Sequence, residues 1–312
     1  MSSASSTPPS RREQSHCLSR PFLEEVAAYE RMVQVIQRPW RTGQVTARRV
    51  GNGPPLVILP GIAATYRGYA ALVNRLARSG TIILLDYPGD DPEDGLDLTQ
   101  IDHDDLTRLV VDWLDHLELA EVGVLGISFG STLTLKLASH HPDRVSRAAI
   151  QGGFARRPLN PLEALALKWG RGLFGGPQRR VERLPLREFV LAWKHRADFP
   201  RHDPARWRHY VAENGATLID PLCHRLSLLE HLDLRPLLPN VPHPILLIQG
   251  ANDTLIPRRF FEELRLGLPR AEVYIIEECG HQPHYTHPEL MADAILGWIT
   301  RDANPPRRAE LK

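Results

Sequence analysis

The apolar run Val122-Gly123-Val124-Leu125 leads straight into Gly126-Ile127-Ser128-Phe129-Gly130, and the helix-forming residues Leu133, Leu135, Leu137 and Ala138 follow. A serine with a glycine two residues to either side, where a strand passes into a helix, describes a reversal too tight for side chains at the flanking positions. The turn holds its serine in a strained backbone conformation and presents the hydroxyl at the strand's end. A capping serine in an ordinary tight turn would use the same residues, so the rest of the chain has to decide between the two.

The remainder alternates strand-like and helix-like segments. Residues 44–50, 56–59, 81–86, 122–127, 145–151, 244–249 and 271–277 read as strands, several as short continuous apolar runs such as Ile245-Leu246-Leu247-Ile248. Such runs fit strands covered on both faces. The spacing of Leu106, Leu109, Val110, Trp113, Leu114 and Leu117 predicts a helix over 100–117, with Thr99 and Asp102 resembling a capping box. The pattern implies an α/β fold, a mostly parallel central sheet with helices on both faces. The alternation lapses over 154–236, which is helical or loop-like and punctuated by proline, and this stretch reads as a helical cap inserted between two parts of one core, 21–153 and 237–302. Residues 1–20 and 303–312 are polar and rich in Ser, Pro or Arg, and read as disordered tails.

Composition narrows the field. With 312 residues, 42% hydrophobic and 24% charged, the chain can bury one sizeable core, and a net charge of +1 gives no reason to expect a nucleic-acid partner. Cys17, Cys223 and Cys279 are too few and too scattered for a disulfide framework or a metal site, which favours a reducing compartment. The N-terminus lacks a secretory pattern and no segment approaches a membrane span, so the expected location is cytoplasmic.

A serine hydroxyl needs a base to become a nucleophile, and that base needs an acid to fix its tautomer. Asp253 lies 125 residues after Ser128 and His281 a further 28 on, each just past a predicted strand. His284 and His287 stand close enough to compete with His281, which is preferred because it leaves the strand end first. Asp253 could be a turn-forming aspartate, but the strand ending at Gln151-Gly152-Gly153 offers no acid in its place. An oxyanion formed at a carbonyl would need N–H donors, expected from Phe129, beside the serine, and from Ile62 in Pro60-Gly61-Ile62-Ala63.

With these residues in place the chain resembles the α/β-hydrolase superfamily, over about residues 44–300, specifically members with a cap inserted in the second half. The resemblance rests on the serine turn, on His141-Pro142-Asp143-Arg144-Val145, on Gln249-Gly250-Ala251-Asn252-Asp253, and on Gly280-His281-Gln282-Pro283-His284. It implies a Ser128–Asp253–His281 triad with Ile62 and Phe129 as backbone oxyanion donors, and neither cofactor nor metal. A serine at the elbow argues against haloalkane dehalogenases and epoxide hydrolases, which use a carboxylate. Two departures stand out: Pro60 where relatives commonly have a histidine, and Asp86-Tyr87-Pro88-Gly89-Asp90-Asp91 in place of the usual Pro-Gly-His-Gly-x-Ser run.

Within 154–210 there are 13 Lys and Arg against five Asp and Glu, a local +8 that leaves −7 for the rest of the chain. Such asymmetry fits an anionic substrate, partner or membrane surface, or merely a solvated helical face. The stretch from Leu162 to Trp169, then Leu173-Phe174, fits core packing, an acyl pocket or a lipid surface, with Trp193, Trp207 and Tyr210 adding to any of these. The leading expectation is therefore a serine hydrolase of esters or related acyl bonds, acting on a small molecule with an apolar acyl group. Acyl transfer and carbon–carbon bond hydrolysis use the same triad, and a non-catalytic binding protein of this fold is the alternative from another class.

Overall fold

The structure, a computed structural model, describes residues 22–300 apart from 64, 158, 160, 177, 201 and 202. The two tails expected from composition lie outside the described residues. Eight strands form one sheet: β1 (Gln34–Trp40), β2 (Gly43–Val50), β3 (Pro55–Leu59), β4 (Thr81–Leu85), β5 (Val122–Ile127), β6 (Val145–Gln151), β7 (Ile245–Gly250) and β8 (Ala271–Ile276). Their spatial order is β1-β2-β4-β3-β5-β6-β7-β8. From β4 to β8 neighbours run parallel, while β1 and β2 form an antiparallel hairpin added to that edge.

Period-two alternation sorts the strand side chains between two cores. Val57, Leu59, Ile83, Leu85, Val122 and Val124 join one cluster with Leu106, Leu109, Val110 and Trp113 of a helix spanning His103–His116 (α3). Leu56, Ile58, Ile82, Leu84, Leu125 and Ile127 face the other way. There they meet α1 (Phe22–Met32), α2 (Ala70–Leu76) and the C-terminal helix, Pro288–Ile299. Each fully buried aliphatic side chain contributes roughly 1.5–3 kcal/mol, so a strand such as β5, buried along its whole length, is anchored from both faces.

Several boundaries differ from the sequence reading. The helix expected from residue 100 begins at His103, and its capping box is formed by Asp102 and Asp105 rather than by Thr99 and Asp102. Asp97 instead binds the Thr99 amide and caps a separate short turn at Leu98–Gln100. Strand β1 and helix α1 were not anticipated. Between β6 and β7 the chain forms four helices, α5 (Pro161–Phe174), α6 (Arg187–His195), α7 (Pro204–Ala216) and α8 (Ile219–Glu230), after α4 (Phe129–His140) has left the serine turn. Among the described residues no helix is long and apolar enough to cross a membrane.

Candidate active site

Ser128 has φ +49° and ψ −111°, a left-handed backbone conformation that non-glycine residues rarely adopt and that tight surroundings must enforce. Those surroundings leave no room at the flanking glycines. A Cβ on Gly126 would collide with the Thr134 hydroxyl and the Gly130 carbonyl, and one on Gly130 would collide with the Leu59 carbonyl. The Ser128 amide is held by the Gln151 carbonyl at 2.8 Å, while its hydroxyl makes no hydrogen bond among the described residues. The strain therefore fixes the serine backbone and leaves its Oγ available.

Asp253 follows β7 in a turn that closes on its own side chain. Oδ1 accepts from the Leu255 and Ile256 amides, both at 2.9 Å, and Oδ2 accepts from Gln249 Nε2 at 3.0 Å. The same Oδ2 lies 2.8 Å from His281 Nδ1, with the Asp253 side chain fully buried and the His281 side chain 5% exposed. Burial alone would raise the Asp253 carboxyl. The His281 charge and hydrogen bond, with the two amides, outweigh it and hold the group below the usual carboxylate range. Gly152, at φ +56°, gives the imidazole its space: a Cβ there would stand 2.7 Å from His281 Cε1. With Nδ1 engaged by a carboxylate, Nε2 is the nitrogen left to exchange a proton.

The competing histidines have other surroundings. His284 is buried and stacked on Tyr69, with ring centroids 4.7 Å apart, and among the described residues neither of its nitrogens has a hydrogen-bond partner. Burial, with the nearby His281, pushes its pKa down to about 3, so it stays neutral. His287 is hydrogen-bonded to Thr286 at 2.9 Å.

The backbone near the serine is held from several sides. The Phe129 amide is the first N–H of α4, one of the donors a helix leaves unused. Gly130 N–H donates to the Pro60 carbonyl at 3.0 Å, tying the serine turn to the loop after β3. That carbonyl also accepts from the Tyr87 hydroxyl at 2.8 Å, and Gly61 N–H donates to the Tyr69 hydroxyl at 2.8 Å. Arg225 of α8, missed from the sequence, donates from Nε to the Ile62 carbonyl at 3.0 Å and lies 2.8 Å from Asp90 Oδ1. No local motif marks it.

Ser128 and His281 line one cavity of about 130 Å³ together with Gly61, Ile62, Leu255 and His284. Leu191, His195, Tyr210 and Asn214 of α6 and α7 close it from above. The apolar stretch in α5 behaves differently: Leu165, Trp169 and Leu173 are exposed, as is Trp193 in α6, while Leu167 packs beside Val181, Ile219 and Cys223. The side chains of Leu162, Ala166, Lys168 and Phe174 lie outside the described residues. Part of the local positive charge is spent internally, Arg157 on Glu163 and Arg206 on Asp203. Among the described residues no three His, Cys, Asp or Glu side chains gather as metal ligands would. Cys223 and Cys279 are both buried, and burial pushes the Cys279 thiol up to about 12.

The serine turn, Asp253, His281 and the loop after β3 all sit at the carboxyl ends of parallel strands, where open α/β sheets bind ligands. A family model for the alpha/beta hydrolase fold matches residues 54–288. The pimeloyl-[acyl-carrier protein] methyl ester esterase of Nitrosomonas europaea is 28% identical over 253 residues, covering 77% of this chain and 93% of its own. That of Aeromonas hydrophila is 27% identical over 267 residues, covering 82% and 99%. A solved hydrolase from Pseudomonas aeruginosa shares the fold with a TM-score of 0.72 at 21% identity, over 86% of this chain and 99% of the other.

Proposed function

The chain belongs to the alpha/beta hydrolase fold family, and on that premise we propose that it is a serine esterase working through Ser128, His281 and Asp253. Ser128 Oγ attacks the ester carbonyl while His281 Nε2 takes its proton. Asp253, bonded to Nδ1, holds the tautomer and stabilises the imidazolium. The carbonyl oxygen, now an oxyanion, accepts from the Ile62 and Phe129 amides. The tetrahedral intermediate collapses, the His281 proton goes to the leaving alkoxide, and the alcohol departs. Water then attacks the acyl-enzyme, giving its proton to His281; collapse returns that proton to Ser128 Oγ and releases the carboxylic acid. The observation that carries this reading is the 2.8 Å contact between His281 Nδ1 and a fully buried Asp253 carboxylate, at a cavity that Ser128 also lines.

The substrate we favour is an ester of a small alcohol. A cavity of about 130 Å³ is close to the ~150 Å³ that holds a single benzene, so it suits a methyl ester better than a bulky one. The relatives named for a methyl ester on an acyl-carrier protein support this class, and the positive charge of residues 154–210 suits an anionic carrier. Residues 154–236 act as a cap that shapes the cavity, and three scattered cysteines fit a cytoplasmic setting.

A fluorophosphonate probe with mass-spectrometric mapping of the adduct tests the nucleophile. Labelling at Ser128 that is lost in His281→Ala is expected, and a folded protein left unlabelled would overturn the reading. Methyl esters should be cleaved faster than the matching butyl esters; the reverse order would reject the small-alcohol assignment.

A further inference from the structure

Two loops at strand ends, the one that starts at Pro60 and the one over 86–91, are joined in space by one side chain. Arg225 sits on α8, 135 residues from Asp90 and 163 from Ile62 in the chain, and its side chain is 3% exposed. Its guanidinium reaches the Ile62 carbonyl through Nε at 3.0 Å, stands 2.8 Å from Asp90 Oδ1 through Nη1, and lies 5.4 Å from the centre of the Tyr87 ring. Tyr87 in turn donates to the Pro60 carbonyl at 2.8 Å.

These contacts divide along the loop in a specific way. The peptide joining Pro60 to Gly61 is gripped at both ends, at its carbonyl by Tyr87 and Gly130 N–H and at its N–H by Tyr69. The peptide joining Ile62 to Ala63 is gripped at its carbonyl by Arg225. Between them lies the peptide that carries the Ile62 N–H. Its neighbours on both sides are fixed, so its own plane has little freedom to rotate.

We propose that Arg225, oriented by Asp90, is a positioning residue that aims the Ile62 amide at the oxyanion of the tetrahedral intermediate. The inference rests on the reading of Ser128 as nucleophile and of Ile62 as an oxyanion donor. Arginine suits the task because it donates through Nε to the carbonyl while Nη1, with no hydrogen bond of its own among the described residues, stays in ion-pair range of the carboxylate; a lysine ammonium on a flexible stem cannot do both from the same place. A pair serving only to pack α8 gains little from being charged, since withdrawing both ions from water works against it and apolar residues would fill the space. Here the ion pair lies between α8 and two loops at strand ends, and one of those loops carries an expected donor.

The test compares full-length wild type with Arg225→Lys, Arg225→Met, the double variant Arg225→Met/Asp90→Asn, and Arg156→Met. The double variant removes the buried cation together with its partly exposed anion, so it keeps the test open if Arg225→Met alone does not fold. Arg156, whose partner Glu263 lies 3.1 Å away outside the site, is the control. The measurements are kcat and KM on p-nitrophenyl acetate, the inhibition constant of a trifluoromethyl ketone that forms an oxyanion adduct, and thermal midpoints. Losing a whole oxyanion donor costs about 10²–10³ in kcat, and misaiming one costs less, about 10- to 100-fold. That fall in kcat is expected in all Arg225 variants, with KM within about 3-fold and the ketone weakened by a matching factor. A folded double variant with kcat within about 3-fold of wild type, or a loss carried by KM alone, would overturn the inference. Wild-type protein that fluorophosphonate leaves unlabelled at Ser128 would instead overturn the esterase reading, and this inference with it.

Discussion

Gly152 follows β6 and contributes no functional group, yet replacing it with alanine should cripple catalysis more than stability. At φ +56° a new Cβ would stand 2.7 Å from His281 Cε1, 3.0 Å from Nδ1 and 3.6 Å from Asp253 Oδ2. Carbon atoms rest comfortably at about 3.5–4.0 Å, so the imidazole must retreat by about 1 Å. It cannot do so while keeping its 2.8 Å bond to Asp253, whose carboxylate is itself held by two amides and Gln249. A displacement of that size costs about 100-fold in rate. The folding cost is smaller. An alanine in the left-handed region loses about 1–2 kcal/mol, partly offset by about 0.4–1 kcal/mol from a less flexible unfolded chain. A net loss near 1 kcal/mol lowers the thermal midpoint by about 1–2 °C in a protein of 312 residues. The assay is kcat on a p-nitrophenyl ester together with a melting curve, with Gly172→Ala in α5, where no atom of the described residues lies within 4 Å of a new Cβ, as the control. A Gly152→Ala protein with kcat within 3-fold of wild type would refute the argument that this glycine exists to seat His281.

Asp253→Asn should lower kcat by on the order of 10³-fold or more, because the amide no longer fixes the productive imidazole tautomer. Its stability effect has a defined pH dependence. Because the Asp253 pKa is depressed in the fold, its contribution is complete above about pH 5 and is lost as pH falls from the unfolded value near 4 through the lower folded one. Urea titrations should therefore show a wild-type advantage that is constant from pH 6 to 8 and closes in acid; an advantage that grows in acid would contradict the assignment. His284 works in the opposite region. With its pKa lowered to about 3 against about 6.5 when unfolded, it withholds a proton that the unfolded chain binds. Between pH 7 and pH 5 wild type should lose on the order of 2 kcal/mol relative to His284→Phe, read from the same titrations. No change in that difference would show that His284 is not held neutral by burial.

The sequence was most readable where side-chain pattern and backbone demand coincide. Strand β5 runs over the residues expected, because a continuous apolar run leaves little choice once both sheet faces are covered, and β6 does so where its apolar half, Ala148–Ile150, leads into Gly152. Strand β1 escaped notice for the converse reason. Gln34–Trp40 has a single buried residue, contains Pro39 and pairs on one side only, so burial leaves almost no pattern on it. Helix α1 did carry a signal, Phe22, Val26 and Tyr29 at helical spacing, next to a tail whose composition drew the eye away. Asp253 and His281 are legible as partners because each lies in the loop after its strand, and their side chains do meet. Arg225 could not. Its partners are fixed by tertiary packing alone, and an arginine inside Leu222-Cys223-His224-Arg225-Leu226 looks like any other helix surface residue.

Helical segments inserted into a sheet protein look like exchangeable parts, and swapping them is an obvious way to change which molecules reach a site. In this protein the swap has a hidden term. Residues 154–236 carry Arg225 away with them, while Asp90 stays behind on the sheet, stripped of its cation, and the Ile62 carbonyl loses its donor. A chimera built on sequence boundaries alone would separate the three. The smallest piece that can be transplanted without that loss is discontinuous, α8 together with residues 60–63 and 86–91, and designs that alter the roof over the cavity should move or preserve it as one body.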